Sequence, residues 1–378
     1  MNNPIWVMSS ALDTLSLPDV ITTSQRVGAQ GVDLCVFRRD GNRQDHVATH
    51  LDYETFDLSA AHQLLDTFNE AGLRLSVGAF ENCIGGDPHQ QVLNQNHLLR
   101  LIRIAHLLGG DENDVTVGTF VGYNHELGNQ EGGFQKNLER YQQIFSPIIK
   151  YAEDLGVTVV YENCPMEGWR SARYTSTFNN LTGVLAARKL MYELIPSPAH
   201  GEIYDPSHDV WQHTDPVAVI EASDMSRIKR VHVKATRNLQ NSTRTHWGGM
   251  YPVQQVDAAL AERAGVPQPV SDWDRHNYEA MLPGFGGSDS TDWRAFVEAL
   301  LAKNFNGPFE IENEAALSKA TGNPGAVEQG YQATILFLAP MLWPLTEQGY
   351  QFDSRDRKPL RQVTTQDVPI VTMNELNS

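Results

Sequence analysis

The chain has 378 residues and a formal net charge of −17, from 46 Asp and Glu against 29 Lys and Arg. Apolar residues make up 41% and charged residues 20%, which excludes disorder for the bulk of the chain; the acidic balance argues against a nucleic-acid backbone as the main partner, because phosphate binding needs a basic footprint. At roughly 150 residues per domain the length suggests two domains, yet a single α/β barrel with insertions also reaches this size.

Taken in chain order, short β-rich runs alternate with helical patterns. The first strand is IWVM from Ile5 and the second VDLCVF from Val32. Leu58, Ala61, Leu65, Phe68 and Ala71 then fall on one helical face, and Gly72 offers a left-handed cap before LRLSVGAF from Leu73. DVTVGTFV from Asp114 is the fourth strand, and a second apolar face follows in Phe134, Leu138, Tyr141, Phe145, Ile148 and Ala152. The remaining strands are VTVVYEN from Val157, GEIYD from Gly201, IKRVHVKA from Ile228 and PFEIENE from Pro308, the last preceded by a helical face of Trp293, Phe296, Val297, Leu300 and Leu301. Eight strands, each followed by a helical segment, predict a single (β/α)8 barrel.

The barrel is expected over residues 1–345, with a polar C-terminal extension over 346–378 that wraps the outside or meets a neighbouring subunit in a homo-oligomer. Strand starts lie 27 to 44 residues apart until the last gap, which is 80. The excess, 237–285, follows strand seven and is expected to form a lid on the C-terminal face, where barrel enzymes keep their chemistry. The three cysteines, Cys35, Cys83 and Cys164, have no CxxC spacing, which fits a reducing compartment. The opening MNNPIWVMSS lacks the basic and apolar stretches of a secretory signal. The longest apolar run, Ala333 to Leu345, is too short for a membrane span. A cytoplasmic location with no membrane or nucleic-acid partner is therefore expected.

Polar residues at the C-terminal ends of barrel strands face the mouth. Strand five ends in Glu162 and Asn163, strand six in Asp205 and His208, strand seven in His232 and Lys234, and strand eight in Glu310, Glu312 and Glu314. Carboxylates with an imidazole suit a borderline-hard divalent ion such as Mn²⁺, with Mg²⁺, Co²⁺ or Zn²⁺ as alternatives. The three glutamates of strand eight share one parity; depth separates them, Glu310 lying inside the strand and Glu314 in the loop.

VVYENCP, YDPSH, VHVKAT, LPGFGGSDSTDW and FEIENE, in this order, resemble the xylose isomerase-like barrel superfamily and most of all its sugar isomerase/epimerase branch. The resemblance spans about residues 1–345 and implies one divalent metal held by Glu162, Asp205, His232 and Glu312, with His208 as a substrate contact. The sequence departs from the branch where Ala235 and Ala315 stand in place of acidic residues, where Asn313 replaces a histidine, and where strand two offers Asp33 and Cys35 rather than a glutamate. The implied substrate is a non-phosphorylated ketose or keto-sugar. Glu162 and Glu312 would move a proton at the carbon next to its carbonyl through an ene-diolate, besides ligating the metal.

Further candidate substrate contacts are Lys234, which shares parity with His232, then His125 after strand four and Arg237 in the insertion; Asn82, His246 and Trp247 are weaker ones. Cys164 reads as a small buried hydrophobe, and the glycine pairs of CIGGD and HWGGM lack the frame of a phosphate loop. The chief alternative is a metal-dependent lyase on the same scaffold, an inosose dehydratase or a 3-keto-glycoside β-eliminating enzyme. An apurinic-endonuclease-like nuclease would need histidines after strands three and four, where GAFEN and GTFVG have none. A metal-free sugar-binding barrel would need the four-ligand set to be idle.

Overall fold

The computed structural model describes residues 2–41, 47–166, 169, 178–238, 257–266, 278–284, 291–315, 323–355, 357–363 and 366–378. Eight parallel strands close into a barrel: β1 Ile5–Met8, β2 Gly31–Cys35, β3 Arg74–Gly78, β4 Val117–Thr119, β5 Val159–Glu162, β6 His200–Tyr204, β7 Ile228–Val233 and β8 Phe309–Ile311. Each neighbours the next, and β8 closes on β1 with Trp6 beside Glu310. All eight predicted strands are present, several of them shorter than their apolar runs. The residues left over, such as Phe80, Phe120 and Asn163, extend past the last ladder bond toward the rim.

The helices form where apolar periodicity meets a cap. In the helix Leu58–Ala71 the Asp57 side chain accepts from Ala60 N–H, and the chain leaves through Gly72 at φ 66°. That conformation costs a side-chain-bearing residue more than it costs glycine. Ala61, Leu64, Leu65 and Phe68 are buried against the barrel, as the sequence periodicity required. The same logic places Leu138, Tyr141, Phe145, Ile148 and Ala152 inward on the helix Gly133–Asp154, where Phe134, expected on that face, is instead exposed in the first turn; Trp293, Phe296, Val297 and Leu300 face inward on Trp293–Ala302.

The insertion after β7 opens as an antiparallel hairpin, Ala235–Asn238 against Tyr278–Met281, and carries a short helix, Ala258–Ala264. The expected lid falls largely at 239–256 and 267–277, outside the described residues, as do His246 and Trp247. The segment after the last barrel helix (Pro324–Leu342) runs back along the barrel's outside and N-terminal end. Asn69 bonds both the N–H and the C=O of Leu360, Asn113 bonds Arg361, and Arg103 pairs with Asp367. No described helix is long and apolar enough to cross a membrane.

Candidate active site

Four side chains converge at the C-terminal mouth: Glu162 at the end of β5, Asp205 just after β6, His232 on β7 and Glu312 just after β8. All four are buried, and one ligand atom from each lies within 4.8 Å of the others. Among the described residues this is the one such group of acidic, histidine or cysteine side chains. Strand alternation puts them there. β7 and β8 pair with His232 beside Glu310, so the next inward positions, Lys234 and Glu312, stand one layer higher at the rim.

Local structure fixes each donor. Asp205 caps the short helix Pro206–Trp211, its Oδ1 accepting from Ser207 N–H at 2.8 Å, and its buried Oδ2 makes no hydrogen bond. His232 Nδ1 lies 3.2 Å from Glu162 Oε1 and 3.1 Å from Glu312 Oε2, also without a hydrogen bond. Three carboxylates and one imidazole thus bring one ligand atom each within 4.8 Å of the others, a donor set that suits Mn²⁺, Co²⁺ or Zn²⁺.

Around these four, His208 places Nε2 3.0 Å from Glu162 Oε1, and Trp211 Nε1–H donates to its Nδ1 at 3.2 Å. The Trp211 bond needs a lone pair on Nδ1, so the proton of the neutral ring sits on Nε2 and points at Glu162. Burial and Lys234 pull this imidazole's pKa down, but Asp205 and Glu162 raise it by more; the indole N–H opposes the second proton that this would bring. Trp211 drew no attention in the sequence; its spacing of three from His208 on a helix was the available signal.

Lys234 sits in the middle of the acidic groups, 2.7 Å from Glu312 Oε2, 3.1 Å from Asp205 Oδ2, 3.2 Å from Glu314 Oε2 and 4.0 Å from Glu162 Oε1. Burial lowers the pKa of this ammonium, but the surrounding carboxylates outweigh it and hold the pKa well above the usual lysine value. Burial likewise opposes ionisation of Glu162, yet His232, His208 and Lys234 keep its pKa well below the carboxylate range. Glu312 is held down against burial chiefly by Lys234. His232 in turn is held well above the usual imidazole value, because Glu162 and Glu312 outweigh the burial that would lower it. Glu314, read from sequence as a loop residue, is thus part of the cluster through Lys234.

The other candidates lie elsewhere. His125 starts a short helix, with Nε2 2.9 Å from Asn179 Oδ1 and its ring against Tyr123, and neither contact reaches the cluster. Arg237 lies on the hairpin and pairs there with Glu279. Asn82 holds a turn, its Oδ1 accepting from Gly85 N–H at 2.7 Å. Cys164 is buried, as expected, its sulfur accepting from Met166 N–H. The CIGGD glycines precede a helix whose N-terminus is capped by the carboxylate of Asp87, which leaves an anion little welcome there.

Where a trinuclear zinc nuclease would need histidines, β3 and β4 lead into Phe80 and Phe120, packed at 5.2 Å between ring centroids. Phe80 also meets the edge of His232 at 6.0 Å, and Phe120 meets Trp169 at 5.5 Å. The mouth is therefore charged on the side of β5 to β8 and aromatic on the side of β3 and β4.

Beneath the cluster the barrel interior holds Asp33, Arg230 and Glu310, all buried. Asp33, which strand two offers where the resemblance calls for a glutamate, is turned down the barrel toward Arg230. Burial pushes Glu310 up to about 8 against the pull of Arg230. Arg230 was legible as inward-facing, since it shares parity with His232.

A family model described as xylose isomerase-like TIM barrel matches residues 22–340, and the chain belongs to that family. No curated protein matches the chain's sequence. Among solved structures it is similar to an L-ribulose 3-epimerase, at 15% identity and a TM-score of 0.57 over 90% of this chain and 94% of that one. It is also similar to the IOLI protein with a bound zinc atom, at 12% identity and 0.58 over 90% and 98%. A third is the probable 3-DHS dehydratase AsbF of Bacillus anthracis, at 14% and 0.54 over 88% and 98%. At these identities the likeness is one of fold.

Proposed function

We propose that the protein is a divalent-metal-dependent sugar isomerase or epimerase. It would act on a non-phosphorylated ketose or keto-sugar by taking a proton from the carbon next to the carbonyl. The observation that carries this reading is the pair Glu162 and Glu312, which approach the same atom, His232 Nδ1, from β5 and β8 at 3.2 and 3.1 Å. Glu162, Asp205, His232 and Glu312 would hold the ion. When bound, it supplies a positive charge beside the substrate oxygens, which stabilises the ene-diolate left by proton removal.

The protein's own groups move the protons. Glu162, kept ionised by its cationic neighbours, takes the proton from one face of the carbon, and the Nε2–H of His208 holds its carboxylate in place. Glu312 returns a proton to the other face. Lys234, 2.7 Å from Glu312 and 4.0 Å from Glu162, keeps its own proton and balances the charge of both carboxylates; Glu312 takes the proton it delivers from solvent and Glu162 releases the one it took, so the cycle closes without a net change. The aromatic side formed by Phe80 and Phe120 excludes water from the reacting carbon. Supporting the reading at family level is the presence of an epimerase and a zinc-binding protein among the structures of similar fold.

A lyase begins with the same proton removal and then expels a β-substituent, water from an inosose or an aglycone from a 3-keto-glycoside. The long insertion after β7 and the aromatic side of the mouth suit a bulkier substrate of that kind. The test of both readings starts with metal analysis of protein purified without chelator. About one ion per chain, lost in the Asp205→Ala/His232→Ala variant, supports the centre. Ketoses, inososes and 3-keto-glycosides are then incubated in heavy water: deuterium in an isomerised product marks the epimerase, and a released fragment or unsaturated product marks the lyase. Absence of metal after reloading with Mn²⁺ would refute both.

A further inference from the structure

The interior of such a barrel is ordinarily filled by branched apolar side chains. Here the layer under the carboxylate cluster is ionic. Arg230 Nη1 on β7 stands 2.9 Å from Asp33 Oδ1 on β2 and 2.9 Å from Glu310 Oε2 on β8. Gly118 on β4 makes room for it, since a Cβ there would lie 3.0 Å from Arg230 Nη2. Burying three ionisable groups is costly relative to apolar packing, so the arrangement calls for a role.

Its position supplies one. Glu310 is the cross-strand neighbour of His232, and its Oε1 lies 3.8 Å from His232 Nε2. Neither of these two atoms makes a hydrogen bond, and both are buried. The opposite edge of the same ring, Nδ1, faces Glu162 and Glu312. The two nitrogens are thereby sorted, one toward the metal-binding carboxylates and one toward a single acceptor fixed from behind by Arg230.

We propose that Glu310, anchored by Arg230 against Asp33, is a positioning residue for the metal centre: with an ion held at Nδ1 of His232 the 3.8 Å gap to Nε2 closes, Glu310 accepts the Nε2 proton, and the lone pair of Nδ1 stays turned to the ion. This rests on the four-ligand metal reading given above. Partners of the outer N–H of a ligating histidine typically change metal affinity about 10- to 100-fold when removed. A purely structural ionic layer would instead change folding stability and leave metal affinity alone.

The test is Mn²⁺ binding by calorimetry on wild type, Glu310→Met, Glu310→Gln and Asp205→Ala, with thermal unfolding of each metal-free protein alongside. Glu310→Met is expected to bind about 10- to 100-fold more weakly. Glu310→Gln, whose amide oxygen still accepts from Nε2–H, should recover most of that loss, and Asp205→Ala should bind least. Affinity of Glu310→Met within about twofold of wild type, whatever its melting temperature, overturns the positioning role and leaves the metal centre standing. No binding by wild type overturns the metal centre and the role with it. Should Glu310→Met not fold, ¹⁵N NMR of histidine-labelled, Zn²⁺-loaded wild type and Glu310→Gln decides: an Nε2–H signal of His232 that moves in Glu310→Gln supports the role, and one that stays unmoved, or a proton on Nδ1, overturns it.

Discussion

At the scale of single residues the site is a problem in charge. Glu162, Asp205, Glu312 and Glu314 meet Lys234 and His232 in a buried pocket; the cationic neighbours hold Glu162 and Glu312 below the carboxylate range against burial, and the carboxylates hold Lys234 and His232 above their usual values. Exchanging Glu162 or Glu312 for Gln keeps the shape and removes the proton carrier. Each variant should lose about 10²- to 10⁴-fold in turnover with a near-native melting temperature, as read by deuterium exchange at the substrate carbon. Activity within tenfold of wild type in either would end its role as acid or base. The metal makes a second prediction with a definite sign. His232 is held well above the usual imidazole pKa in the metal-free cluster, and it must shed its proton to ligate. Mn²⁺ affinity should therefore rise with pH across the neutral range, with proton release on binding, and calorimetry in two buffers of different ionisation enthalpy measures both. A flat profile would mean that His232 is not a ligand.

At the scale of elements, what positions the site is a set of short strands that each end just below a functional residue. The helices behind them owe their limits to local chemistry. Asp57 caps the helix Leu58–Ala71 with one side-chain bond, and Asp57→Ala should cost about 1 kcal/mol, seen as a lower urea midpoint with an unchanged slope. An unchanged midpoint would show that tertiary packing alone sets that helix start. The eight strands and the inward faces of three helices were legible in the sequence, because periods of two and 3.6 record which face is buried. The ends of the strands were less so: ladder bonds stop where neighbouring chains diverge at the rim, which no single run of residues records. The placement of His125 shows the same limit. It stands on the side of the barrel that the βα order predicted, but a short helix capped by Asn124 turns it to Asn179.

At the scale of the whole molecule, the segment after Leu342 ties the outer helices and the N-terminal end of the barrel together through Asn69, Asn113 and Arg103. Removing residues 351–378 should lower the melting temperature by several degrees while leaving Mn²⁺ affinity unchanged, because the described residues of the tail bond the outer helices and the N-terminal end and none of the four candidate ligands. Weaker Mn²⁺ binding in the truncated chain would show that the two ends are coupled. Two buried histidines outside the site govern acid stability. Burial holds His97 and His200 at about 4, where one nitrogen of each meets a backbone carbonyl oxygen, of Val36 and Ile195. The unfolded chain takes up these protons near pH 6.5 and the folded one only near 4, so their neutral forms are fully compatible with folding above about 6.5. Stability should fall as the pH drops through that window, by up to about 3 kcal/mol for each histidine. His97→Gln should flatten the fall, and denaturant titrations at pH 7, 5.5 and 4.5 would reveal it.

The sequence by itself determined the barrel and the rim on which the chemistry stands, and its family resemblance singled out the four candidate ligands on that rim. Alternation along a strand and order along the chain are one-dimensional properties, and the closure of a parallel barrel follows from them. It could not place Lys234 among four carboxylates, bring Trp211 behind His208 or stack Arg230 between Asp33 and Glu310. Those contacts join residues up to about 200 positions apart, and they depend on the stagger between strands and on which side chains share a layer. Register of that kind is fixed only when the barrel closes, and it decides which nitrogen of His232 faces Glu162 and Glu312 and which faces Glu310.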